Sequence, residues 1–153
     1  MRLVLDTNIV IDLLHFADRH AQPLAAGLRS GRLQCFSDGA CVAELERVAG
    51  YPEFGLDVVA QTALLRRYGE LVTICEADHD EDYRLPRCRD ADDQKFLVLA
   101  ARCRADLLIT RDKELLRLAR QRSSAASLPF SILTAAAAAP LLRAAAENPA
   151  GAV

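Results

Sequence analysis

Carboxylates stand in this chain where carboxylates are costly. Asp6 directly follows the apolar run RLVL. Glu44 shares helical spacing with Cys41, Leu45 and Val48. Asp90, Asp92 and Asp93 crowd the start of the apolar stretch in RDADDQKFLVLA. Asp112 follows another apolar run in LLITRD. A buried carboxylate is expensive unless something compensates it. Two of them at about 4 Å repel by about 4 kcal/mol at an effective dielectric near 20. A divalent cation removes the conflict, and an all-oxygen donor set suits Mg²⁺ or Mn²⁺. Such a centre activates water and stabilises a phosphoryl-transfer transition state, so metal-dependent phosphodiester hydrolysis is the chemistry to expect. Each acid also has a plainer use. Asp6 and Asp112 suit helix caps, and Glu44 suits a rim acid paired with Arg47.

The elements that must position these acids alternate. Dense apolar runs predict strands at Arg2–Leu5, Leu33–Phe36, Leu71–Cys75, Leu107–Thr110 and Pro129–Leu133. Helical spacing runs from Ile9 through Leu13 and Phe16 to the 23–28 stretch. Further helices are expected from Cys41 to Gly50, capped by Ser37 or Asp38, and over Leu56–Tyr68. Others are expected from Asp90 to about Arg104 and from Asp112 to about Arg122. The last is an Ala-rich helix capped by Thr134. The alternation implies an α/β fold, three layers with a central parallel sheet of about five strands. Ligands of such sheets bind beyond the carboxyl ends of the strands, where Asp6 and Asp112 fall. Residues 1–142 read as one domain, and 143–153 as a helix end and flexible tail.

Composition sets bounds. The chain has 153 residues, 52% hydrophobic and 26% charged, which suits one ordinary domain. No apolar run is long enough to span a bilayer, and the N-terminus lacks the features of a signal peptide, so a cytoplasmic protein is expected. Cys35, Cys41, Cys75, Cys88 and Cys103 form no Cys-x-x-Cys pair and read as reduced core thiols. His15, His20 and His79 lack metal-ligand spacing. The net charge of −2 gives no global nucleic-acid footprint, but an acidic metal site lowers net charge even where its rim is basic.

With these residues in place, the chain resembles the PIN-domain family. LVLDTNIVIDLL is similar to that family's first motif, and FSDGACVAELERVAGYPEF to the motif that supplies the second acid. RDADDQKFLVLAARCRADLLITRDKELL is similar to the third and fourth motifs run together, and ILTAAAAAPLL to the closing strand and helix. The likeness covers roughly Arg2 to Leu142. Within the family it looks like the toxin components of toxin–antitoxin pairs. The resemblance implies an Mg²⁺- or Mn²⁺-dependent ribonuclease acting on RNA, a cognate protein antitoxin and a homodimer. Carried over by position, Asp6, Glu44 and Asp112 bind metal or position water, while Thr7, Asn8 and Thr110 orient carboxylates or phosphate by hydrogen bonds. Ser37 reads as a helix cap, and Asp12 as a solvent-facing residue.

The third acid departs from the family's usual spacing, which places Gln94 where an acid is expected. Helix phase is the other guide. Asp93 leads into the stripe of Phe96 and Ala100, whereas Gln94 turns towards the edge. Asp93 is therefore the preferred metal-site acid. Asp90 starts the helix and remains a further candidate ligand, and Asp92 is the remaining choice. Among basic residues, Arg111 beside Asp112, and Arg87 and Arg89 beside the acidic loop, are candidates for phosphate contact. Lys113 is also basic, and Arg117, Arg120 and Arg122 read as a solvated helix face. An alternative is a PIN-like module that binds RNA or protein without cutting. A receiver domain would need an acidic pair at strand one and a Lys after strand five. An Asp-nucleophile phosphatase would need Asp-x-Asp. Neither pattern is present.

Overall fold

The computed structural model describes residues 1–77, 81–120 and 128–147. The elements in chain order are β1 (Arg2–Leu5), α1 (Thr7–Leu14), α2 (Gln22–Arg29), β2 (Gln34–Ser37), α3 (Gly39–Ala49), α4 (Val58–Leu71) and β3 (Val72–Ile74). Then come α5 (Gln94–Arg102), β4 (Leu107–Ile109), α6 (Lys113–Leu118), β5 (Ser131–Leu133) and α7 (Ala135–Glu147). The five strands form one parallel sheet in the order β3-β2-β1-β4-β5.

Strand alternation sends side chains to two cores. Leu3, Leu5, Cys35, Leu107 and Ile109 pack with residues of α1, α2, α3, α4 and α7. Val4, Phe36, Leu108 and Ile132 pack with α5 and α6, chiefly through Phe96, Leu97, Leu99, Leu115 and Leu118. The result is the expected three-layer α/β/α fold. The chain builds β1, β2 and β3 outward to one side, then returns to lay β4 on the other side of β1. That reversal opens a crevice at the carboxyl ends of β1 and β4.

Several boundaries differ from expectation. The apolar spacing from Ile9 to Leu28 spans two α-helices and not one. Ala17 takes φ 50°, and Asp18 accepts from His20 N at 2.6 Å to start a separate 3₁₀ turn at Arg19–Ala21. The helix expected from Asp90 begins as a 3₁₀ turn over Ala91–Asp93, and α6 ends at Leu118. Asp38 alone caps α3, accepting from Cys41 N at 2.9 Å, whereas Ser37 is a fully buried member of β2. Thr134 caps α7, accepting from Ala137 N at 3.1 Å. Among the described residues no helix is long and apolar enough to cross a membrane. His79, Arg122 and the tail 148–153 lie outside the described residues.

All five cysteines are free, and all but Cys75 are buried. Burial pushes the Cys35 thiol up to about 12 and the Cys103 thiol up to about 11, which withholds the thiolate that metal binding or nucleophilic attack requires.

Candidate active site

Asp6 occupies the N-cap position of α1 but does not cap it with its side chain. Its backbone N–H continues the β1–β4 ladder, donating to Ile109 O at 3.0 Å. This leaves the carboxylate facing β4. There Oδ2 accepts from Thr110 Oγ1 at 2.5 Å and from Asn8 Nδ2 at 2.8 Å. Asp6 is 3% exposed and Thr110 fully buried. Burial raises the Asp6 pKa, Thr110 and Asn8 oppose that rise, and the Glu44 charge adds to it.

Thr110 also ties in the fourth acid. Its Oγ1 accepts from Asp112 N at 2.9 Å. Asp112 caps α6 through Oδ1, which accepts from Glu114 N at 2.8 Å and Leu115 N at 3.0 Å. The helix-cap reading of Asp112 is correct, and it leaves the same residue on the cleft wall.

Glu44 lies on α3, half-buried at the edge of the apolar stripe. Oε1 accepts from Thr7 Oγ1 at 2.8 Å, and Oε2 forms an ion pair with Lys95 Nζ. The suggested partner, Arg47, instead donates to the Tyr51 hydroxyl one helical turn on. Lys95 is a site residue that sequence position does not reveal: two places after Asp93 it lies about 200° round an ideal helix from that acid, and only the packing of α3 against α5 brings it to Glu44.

The three aspartates of the RDADD cluster separate by exposure. Asp90 caps the 3₁₀ turn, accepting from Asp92 N at 2.9 Å, and both Asp90 and Asp92 are exposed. Asp93 is partly buried and makes no capping bond. Its carboxyl is pushed up to about 7, first by burial and then by the charges of Asp6, Asp112, Asp90 and Glu44. Gln94 does not merely turn to the edge. Its Oε1 accepts from Cys88 N at 2.7 Å and its Nε2 donates to Pro86 O at 3.3 Å, so it pins the preceding loop to the start of α5.

Asp6, Thr7, Asn8, Glu44, Asp93, Arg111 and Asp112 line one cleft of about 200 Å³, closed on one side by Ile11, Val48 and Phe54. Thr110 supports it from below. Arg111 belongs to the wall, its N–H donating to Asn8 Oδ1 at 3.3 Å. Its guanidinium pairs with Asp12 at 3.4 Å, so Asp12 is an ion-pair partner and not the solvent-facing residue expected. Arg87 and Arg89 are exposed and do not line the cleft. Lys113 and Arg120 are exposed, and Arg117 pairs with Glu114 at 3.7 Å, in keeping with a solvated face.

The donors of this cleft suit a hard divalent cation: four carboxylates and no sulfur or imidazole. Asp93, whose carboxyl is pushed up to about 7 first by burial and then by its acidic neighbours, is the group a cation would relieve. Among the described residues, no three His, Cys, Asp or Glu side chains already stand as a ligating group. Glu44 is drawn to Thr7 and Lys95, and Asp112 to backbone N–H groups. The fit is therefore one of donor chemistry, with closure left to the ion.

Comparison with curated proteins and with solved structures finds no significant match. The family model of the PIN domain matches residues 2–114, which contain β1 to β4 and all four acids of the cleft. This chain belongs to the PIN domain family.

Proposed function

We propose that this protein is a metal-dependent endoribonuclease that hydrolyses RNA phosphodiester bonds, and that it is the toxin of a toxin–antitoxin pair. Family membership supports nuclease activity in general. The observation that carries the reading further is the gathering of Asp6, Glu44, Asp93 and Asp112 around one cleft at the β1–β4 reversal.

Asp6, Asp93 and Asp112 would hold Mg²⁺ or Mn²⁺, with Glu44 beside them. Bound there, the ion supplies an activated water and neutralises charge on the scissile phosphate. The chain's own residues do the positioning. Thr110 and Asn8 fix Asp6 Oδ2, and Thr7 fixes Glu44. Burial and then the acidic neighbours push the Asp93 carboxyl up to about 7, so a cation in the cleft would favour its charged form. Arg111 stands at the cleft wall, where release from Asp12 would direct its guanidinium to a phosphate. The toxin reading also calls for a protein partner, either a second copy or an antitoxin. Val58 and Val59 at the start of α4, 76% and 78% exposed, supply apolar surface for one.

The test is cleavage of defined RNAs by purified protein with Mg²⁺ or Mn²⁺, compared with Asp6→Asn and Asp93→Asn. Cleavage by the wild type alone supports the reading. RNA binding without cleavage, unchanged by Asp6→Asn, would instead favour a binding module.

A further inference from the structure

Glu44 is held on both sides. Thr7 Oγ1 donates to Oε1 at 2.8 Å, and the Lys95 ammonium pairs with Oε2. Lys95 is itself fixed. It donates to Asp92 O in the turn that carries Asp93, and it lies over the Phe96 ring at 5.1 Å. The Lys95 and Glu44 side chains are only 22% and 14% exposed, so water screens the pair weakly. Lys95 therefore links two of the elements that build the cleft, α3 through Glu44 and the start of α5 through Asp92. Among the described residues, no such ion pair is made by the other cleft acids. Asp6 is held by neutral donors, and Asp112 by backbone N–H groups. Asp93 feels the charges of Asp6, Asp112, Asp90 and Glu44.

We propose that Lys95 is a positioning residue of this site. It keeps Glu44 as an outer carboxylate and leaves direct coordination of a single divalent cation to Asp6, Asp93 and Asp112. The inference rests on the nuclease reading above. Two consequences separate it from a simple four-acid site. A carboxylate whose charge is already paired with an ammonium attracts a cation less than one held by neutral donors, while its remaining lone pairs can still accept from a water in the cleft. A fixed positive charge beside the cleft also disfavours a second cation.

The experiment is Mn²⁺ titration by calorimetry and by electron paramagnetic resonance, on the full chain, with thermal melting of each variant as the folding control. Wild type is expected to bind one Mn²⁺. Glu44→Gln should change Mn²⁺ affinity by less than about threefold, whereas Asp93→Asn weakens it by about tenfold or more. Lys95→Met frees Glu44, so Mn²⁺ binds about tenfold tighter or a second Mn²⁺ appears, while kcat on RNA falls and KM holds. Lys95→Arg should restore the single weaker site. If Glu44→Gln costs as much affinity as Asp93→Asn, or Lys95→Met alters neither affinity nor stoichiometry, the role given to Lys95 is wrong while the nuclease reading stands. If wild type binds no Mn²⁺ at all, both are overturned.

Discussion

The Thr110 hydroxyl donates to Asp6 Oδ2 at 2.5 Å, joining the ends of β4 and β1 across 104 positions of sequence. Thr110 Oγ1 in turn accepts from Asp112 N at 2.9 Å. One buried hydroxyl thus sets two of the four cleft acids. Thr110→Val keeps the shape and removes both bonds. Leaving buried polar groups without partners should cost about 1–3 kcal/mol of stability by urea denaturation, and Thr110→Ser should recover most of it. An unchanged midpoint for Thr110→Val would mean that water replaces the hydroxyl.

Asp6→Asn removes the deepest carboxylate of the cleft while preserving volume. Cleavage should fall by more than about 100-fold, beyond the usual cost of losing a supporting group around a metal. Folding should survive, because the buried charge itself is removed. Residual activity within tenfold of wild type would exclude Asp6 from the reaction.

Asp93 makes the metal-free protein sensitive to pH in a defined direction. Its folded pKa of about 7 lies above the ordinary value of 3.8. Between those values the unfolded chain has released the proton and the folded chain keeps it. The stability linked to Asp93 is therefore complete below about pH 4 and is lost as pH rises through about 7. In chelator, the melting temperature of wild type should decline over that range more steeply than that of Asp93→Asn. Equal slopes would assign the pH response to other groups.

Arg102 ties three segments together. It pairs with Asp38 at 2.9 Å, grips both oxygens of Glu81, and donates to Cys75 O at 3.3 Å, with only 10% of its side chain exposed. Arg102→Met removes the cation that Asp38 and Glu81 share. A loss of about 3–5 kcal/mol is expected from chemical denaturation. A loss below about 1 kcal/mol would show the network to be solvated.

Gly27 allows β2 to enter close to α2. A Cβ there would lie 2.3 Å from Leu33 Cδ1 and 2.5 Å from Cγ, and Leu33 is 3% exposed. Helix propensity alone favours Gly27→Ala by about 1 kcal/mol. Overpacking costs about 1–3 kcal/mol and should outweigh it, lowering the melting temperature. A rise would show that Leu33 has room to move.

Much of this architecture was legible in the order of residues. The runs Arg2–Leu5, Leu33–Phe36, Leu107–Thr110 and Pro129–Leu133 are short and largely apolar, and a buried parallel strand needs little else to announce itself. Asp6 and Asp112 were readable as cleft acids because they abut such runs. Asp93 was separable from Asp90 and Asp92 because helical phase is a local property. The break between α1 and α2 was harder to read, since Ala17 carries no sign of its positive φ.

What the sequence determined by itself is thus the set of elements, their alternation and the acids at their ends, because hydrophobic periodicity and capping act over a few residues. Only the tertiary structure decided the strand order, and with it the crevice between β1 and β4. It also chose the partners: Lys95 for Glu44, Asp12 for Arg111, and Pro86 and Cys88 for Gln94. Charge and hydrogen-bond pairing depend on distances across the fold, and such distances exist only once the sheet has closed its cores on both faces.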